Sequence, residues 1–243
     1  MASTITLLQT LNWCAPYIRF APLTLGAGNE PAVTNANLIA QTMVGPPFAW
    51  AWNRRIVTTT CVQGQQDYPI SIPDWGYIEN ATVALSGQRT FELKDQIVLG
   101  EATEQGRPMS ISVHLDDDMG NITFRLLSVP DAAYTLKITY QRGLPLFAAT
   151  TSPPVAVLNQ PWGIPDAWSH IFQNGFLALA LMYLDDPRWQ TFNQKFVSHL
   201  LSAQEGLDEE AKNIFLGNWF AITGEPQSNV IRTTQGHQAR GSL

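Results

Sequence analysis

Asp116-Asp117-Asp118-Met119-Gly120-Asn121 holds the densest run of ligand-type side chains in the sequence. A calcium loop would use such oxygens at alternating positions to surround a hard cation, and the D-x-D spacing fits its start. The continuation does not. Gly120 stands where the fifth position needs Asp or Asn, Asn121 where the sixth needs glycine, and Leu127 where the twelfth needs a bidentate Glu. The segment lies between two alternating stretches, so a hairpin turn accounts for it and no metal is expected. His114, His170, His199 and His237 are scattered: none has an i+4 histidine partner, and no HExxH run occurs. They read as satisfied or solvated side chains. Cys14 and Cys61 lack metal-type spacing and read as half-buried thiols in a reducing compartment. Gly26-Ala27-Gly28 lacks the third glycine of a dinucleotide loop, and there is neither a GKS/GKT run nor a GxSxG elbow. The sequence therefore advertises no catalysis and calls for no cofactor.

The elements that carry these residues fall into three textures. Over 1–53, Ile5, Leu7, Leu8 and Leu11 predict a short helix that ends by Pro16. Pro31 opens a second helix bearing Val33, Leu38, Ile39 and Met43, which Gly45-Pro46-Pro47 closes. Residues 54–148 read as β, with alternation at 56–62, 78–85, 109–115, 122–127 and 134–140 and turn residues between. Five or more short strands so spaced predict an antiparallel sandwich or barrel. A proline-rich linker follows over 149–165.

Residues 166–220 predict a C-terminal helical hairpin. Trp168, Ile171, Phe172, Gly175, Phe176, Leu179, Ala180 and Tyr183 keep i, i+3, i+4, i+7 spacing, and Leu177, Leu181 and Leu184 form a second apolar face. A helix greasy on two sides packs against more than one neighbour, and one side is expected to serve as a wall between subunits. Asp185-Asp186-Pro187 separates it from a helix carrying Trp189, Phe192, Phe196, Leu200, Ala203 and Leu207, with Asp186 as N-cap. The fold class is thus α+β: helical segments at both ends of the chain, an inserted β-domain and an extended tail over 221–243.

Composition limits the function. Of 243 residues, 45% are apolar and only 14% charged, against about 25% charged in ordinary domains. Fewer charges to solvate a monomer point to surface that faces other subunits. A net charge of −6 excludes a conventional nucleic-acid binder, which needs a basic patch, while acidic walls keep a passing polyanion from sticking. No Lys/Arg-led apolar run marks a signal peptide, and no stretch approaches the ~18 apolar residues of a membrane span. The expectation is a chain made and kept in a cytoplasm. The end of the chain, 226–243, is polar and has no acid, and Val230 and Ile231 are its only β-branched aliphatics. Such a segment buries no core of its own and is expected to become ordered on a partner.

One combination goes further. A strand–turn pair around Asp67-Tyr68 precedes a strand opened by Gly106-Arg107-Pro108. The hairpin 122–127 then leads into Val129-Pro130-Asp131-Ala132-Ala133-Tyr134-Thr135-Leu136-Lys137-Ile138-Thr139-Tyr140, and Ile164-Pro165-Asp166 opens the last helical region. From about residue 30 to 215 this resembles the head-to-tail adaptor (connector) proteins of tailed bacteriophages; the loop 20–32 has no counterpart. The resemblance implies a twelve-membered homo-oligomeric ring in the virion neck, its helical part on the portal protein and its β-domain towards the downstream tail component (nozzle, tail tube or stopper). DNA would pass through the channel without sequence-specific binding during packaging and ejection, and the C-terminal extension would reach the portal. Portal contact then falls to Trp168, Trp189, Val230, Ile231, Arg232 and Arg240, and the tail-facing turn to Asp116, Asp117 and Asp118. The rival reading is a carbohydrate-binding β-sandwich of a tail fibre or spike, with Trp75 and Tyr77 stacking on sugars. A cell-wall hydrolase would need two acids about 5–10 Å apart in a cleft, for which Asp116–Asp118 on a turn is a poor candidate.

Overall fold

The computed structural model describes residues 6–18, 32–96, 104–116, 120–147, 163–204 and 206–224. The chain divides into two compact units, one formed by 1–43 with 145–243 and the other by 44–144. The fold is α+β.

In the first unit, Thr6 and Gln9 start α1 (Leu7–Cys14) as a reciprocal capping box. The Thr6 N–H donates to Gln9 Oε1 at 2.8 Å and the Gln9 N–H to Thr6 Oγ1 at 3.2 Å, which satisfies donors that a helix start leaves bare. Helix α2 (Ala32–Val44) buries Val33, Ala36, Ile39, Ala40 and Met43. Asn37 on α2 holds Phe147 of the same unit, donating to its carbonyl at 2.8 Å and accepting from its N–H at 2.7 Å. A single turn, Asp166–Trp168, leads into α3 (Ser169–Tyr183).

Helix α3 corrects one expectation. Ile171, Phe172, Phe176, Leu177, Ala178, Leu179, Ala180 and Leu181 are all buried within the subunit, so most of its two apolar faces is used internally and Tyr183, 64% exposed, is the part of them left at the surface. Gly175 is where it is approached most closely: a Cβ there would stand 2.7 Å from the Phe196 ring and 2.9 Å from Ile39 Cδ1. Asp186 caps the following turn by accepting from the Arg188 N–H at 3.0 Å, and α4 (Trp189–Ser202) packs along α3.

The second helix of the expected pair stops at Ser202, and a third, α5 (Glu209–Thr223), follows. Asp208 Oδ1 accepts from the Ala211 N–H at 2.7 Å, Glu209 and Glu210 lie in the positive first turn, and Gly224 ends the helix at φ 69°. Trp219 anchors α5, with its indole N–H on Asn193 Oδ1 at 2.7 Å and its ring 4.9 Å from that of Phe196.

The second unit is a seven-stranded sheet in the order β1-β9-β3-β4-β6-β7-β2. The strands are β1 (Arg54–Thr60), β2 (Asp67–Ser71), β3 (Trp75–Ala84), β4 (Phe91–Asp95), β6 (Ser110–Asp116), β7 (Asn121–Leu127) and β9 (Thr135–Arg142). Gln105–Gly106 (β5) and Val129–Pro130 (β8) form a separate short pair. The sheet curls on itself. Trp75 on β3 lies 5.4 Å from the Tyr140 ring on β9 and 5.2 Å from the Phe124 ring on β7, although those strands are four places apart in the sheet. Val83, Ile111, Ile122, Phe124, Leu126, Leu136 and Ile138 share the enclosed core.

The expected purely antiparallel order is broken twice among the described residues: β4 and β6 run parallel through Lys94–Ser110 and Asp95–Ile111, and the short β5–β8 pair is parallel too. A parallel pair needs a crossover connection, which the residues between β4 and β6 supply. Strand β4 itself went unforeseen, because only Phe91 and Leu93 carry its apolar alternation.

Candidate assembly interface

The sheet has two edges, and hydrogen-bond parity decides what each offers. The Cys61 N–H donates to Tyr134 O at 2.7 Å and the Arg142 N–H to Asn53 O at 3.2 Å. With the β1–β9 register, odd-numbered β1 residues therefore bond to β9. Arg54, Ile56, Thr58 and Thr60 turn their backbone groups away from the sheet. Among the described residues, Ile56, Thr58 and Thr60 have no partner for those outward groups. The β2 edge has the same geometry with a different outcome. Ile72 N–Gly120 O at 2.6 Å and Leu126 N–Gln66 O at 3.1 Å set its parity, so Asp67, Pro69 and Ser71 face outward. Proline has no N–H, and it sits at the middle of that row.

Charge is also arranged differently. On the β2 side, Arg125 grips Asp67 through two bonds of 2.7 and 2.8 Å, which hold the Asp67 carboxyl below the usual carboxylate range against a smaller opposing effect of burial. At the start of β1, Arg54 pairs with Glu79. Burial pushes the Glu79 carboxyl up, but bonds from Arg54 and Gln141 outweigh it and the net shift is downward. Arg55 is exposed and makes no ion pair among the described residues. Its Nη1 donates to the carbonyls of Arg54 at 2.8 Å and Trp52 at 3.3 Å, which parks the guanidinium at the end of the open edge.

The residues singled out from sequence are not gathered into one place. Trp168 and Trp189 are both half-buried and flank α3, whose 15 residues span about 22 Å. Val230, Ile231, Arg232 and Arg240 lie outside the described residues, as do Asp117 and Asp118. Asp116 is exposed at the end of β6, where Val113, His114 and Leu115 are exposed too. A register shift lies between Val113 and Leu115, and the end of β6 carries these exposed apolar side chains beside Asp116.

Two further readings change. His170 and His199, taken as scattered, meet across α3 and α4 with ring centroids 5.3 Å apart. Partial burial, then the charges of His170 and Lys195, lower the pKa of His199. Trp75 and Tyr77 are half-buried. The first packs against the Tyr140 and Phe124 rings inside the sheet's curl and the second donates its hydroxyl to the Phe48 carbonyl, so both side chains are engaged within the unit. No group of three or more His, Cys, Asp or Glu side chains that could hold a metal occurs among the described residues.

A family model described as SU10 adaptor protein matches residues 29–214, which takes in α2, the whole sheet unit, α3, α4 and the start of α5. The chain belongs to the SU10 adaptor protein family. As a member it is a phage structural adaptor. No curated protein matches the chain. No helix among the described residues is long and apolar enough to cross a membrane.

Proposed function

We propose that this SU10-family adaptor works at the head-to-tail junction, as a ring of about twelve copies that joins the portal to the next tail component and lets DNA slide through. The observation that carries the reading is the family match across all of the sheet unit and more than half of the helical one. Charge supports it. A ring of twelve subunits at −6 each would carry about −72, which suits a channel that must not retain DNA. The acid-free segment 226–243, with Arg232 and Arg240, fits an acidic portal surface. Ordering it costs roughly 1–2 kcal/mol per residue of backbone entropy, which repetition around the ring offsets. Of the helical residues, Trp168 and Trp189 are the contacts proposed for the portal, and the Asp116 turn is proposed to meet the tail.

The test is electron microscopy of the purified chain mixed with portal protein. Rings capping the portal are expected; persistent monomers that never bind portal would sink the reading. A chain ending at Gly224 should fold and lose portal attachment, and full attachment would remove the C-terminal segment from the contact.

A further inference from the structure

The open β1 edge calls for an occupant. It is seven residues long, contains no proline and pairs with β9 without a bulge. Its outward row ends in Ile56, which is 56% exposed, and in two threonines. Natural sheets blunt such an edge with proline, inward charge or a covering element, and β2 shows this sheet doing so with Pro69. On β1 charge is confined to one end, where Arg55 lies beside Arg142. That side chain's pKa is lowered by burial first and by the Arg55 charge second. Glu79 pairs with Arg54 and the Asp74 charge acts on Arg142, which leaves Arg55 as the guanidinium at that end with no ion pair among the described residues and gives it a local preference for an anion.

We propose that β1 is a docking edge for an extended segment of another protein. That segment adds antiparallel as an eighth strand and places a carboxylate at its C-terminal end against Arg55. Main-chain bonds to Ile56, Thr58 and Thr60 supply affinity, and the Arg55 contact supplies register and selectivity. Charge selects among the candidate strands. The C-terminal segment 226–243 of this chain carries arginines and no acid, so it is a poor match for Arg55. A second copy's β1, added antiparallel, would bring threonine to that end instead of an acid. A second copy's β2 would present Pro69 in its pairing row. The surface belongs to a single subunit and stands whether or not subunits close into a ring.

The test uses the full chain and two blocked synthetic peptides, TVTVTVEE and TVTVTVKK. Saturating acidic peptide is expected to slow amide exchange at Ile56, Thr58 and Thr60 by about tenfold or more, while Val57 and Thr59, already bonded to β9, change little. The acidic peptide should bind at least about tenfold tighter than the basic one, and Arg55→Glu should reverse that order. Thr58→Pro removes an outward N–H and should abolish binding; where it fails to fold, the Arg55→Glu reversal decides. Unchanged exchange on adding peptide overturns the proposal, as does equal binding of both peptides. So does protection of these amides in the free chain, which would mean that its own C-terminal segment or a second copy already fills the edge.

Discussion

The two edges of one sheet, β1 and β2, are built in opposite ways. Both edges are short strands that pair antiparallel with one neighbour, β1 with β9 and β2 with β7. On β2 every feature closes the edge: Pro69 interrupts the outward row, Arg125 is tied to Asp67, and Tyr68 is latched. The Tyr68 hydroxyl donates to Gln65 O at 2.8 Å and accepts from the Val62 N–H at 3.1 Å, and burial pushes its pKa up to about 12. On β1 the outward row is continuous and Arg55 has no acid among the described residues. A sheet that needed protection only against aggregation would guard both sides. Guarding one and leaving the other open is the arrangement of a subunit that accepts a strand on a chosen side.

The largest effect is expected where the closed edge is anchored. Gly120 has φ +89°, and a Cβ there would meet Pro73 Cα at 2.6 Å and Ile72 O at 3.1 Å, both backbone atoms that cannot swing aside. Its carbonyl accepts the Ile72 N–H that ends the β2–β7 ladder. Gly120→Ala should cost about 1–2 kcal/mol from the left-handed backbone alone, with more from the clash. Urea denaturation of the variant measures this, and a cost below about 0.5 kcal/mol would show that the β2 end yields easily.

Next come paired prolines on the open edge. Thr59 bonds inward to β9 and Thr58 points outward, by the parity above. Thr59→Pro should lose roughly 1–3 kcal/mol by leaving a ladder carbonyl unsatisfied, whereas Thr58→Pro should lose well under about 1 kcal/mol. Equal losses would mean that the outward row of β1 is engaged within the subunit, and the contrast between the edges would collapse.

How much of this was legible in the sequence varies with the kind of signal. Helix α2 was readable because Pro31 and Gly45-Pro46-Pro47 punctuate a clear apolar spacing, and β7 and β9 because Ile122, Phe124 and Leu126, like Leu136, Ile138 and Tyr140, alternate without interruption. Helix α5 was hidden because the apolar spacing of α4 runs on through Ala203 to Leu207, although Asp208 followed by Glu209 and Glu210 is a readable helix start. The free edge left no local mark. Pro69 hinted that β2 lies at an edge, but nothing within Arg54–Thr60 shows that it pairs on one side only, since that depends on where distant β9 lies. His170 and His199 are likewise joined only by the way α3 meets α4. The C-terminal contact residues, from Val230 to Arg240, lie outside the described residues.

A smaller effect follows from reopening the guarded side. Pro69→Thr restores an N–H to the centre of the β2 outward row and should leave stability within about 0.5 kcal/mol, as is usual for exposed positions. It should instead make the chain associate through two edges. Sedimentation over a concentration series should show larger species than the parent chain forms, and adding Thr58→Pro should reduce them. If Pro69→Thr behaves as the parent does, proline is not what keeps β2 closed.

The smallest effect concerns charge. Asp67 ionises more readily in the folded chain than in the unfolded one, chiefly through its bonds to Arg125. Its stabilisation is therefore complete above the unfolded carboxylate value near 4 and disappears as pH falls through the lower folded value. The Asp67 side chain is 40% exposed, so solvent screening keeps the contribution below about 1 kcal/mol. Asp67→Asn should lower the urea midpoint slightly at neutral pH and flatten its decline below about pH 4. Arg55→Gln should change neither, because Arg55 has no acid to lose among the described residues. An equal effect of both substitutions would show that Arg55 already has a partner in the free chain, and an unpaired cation is what the open edge needs if it is to choose an acidic strand.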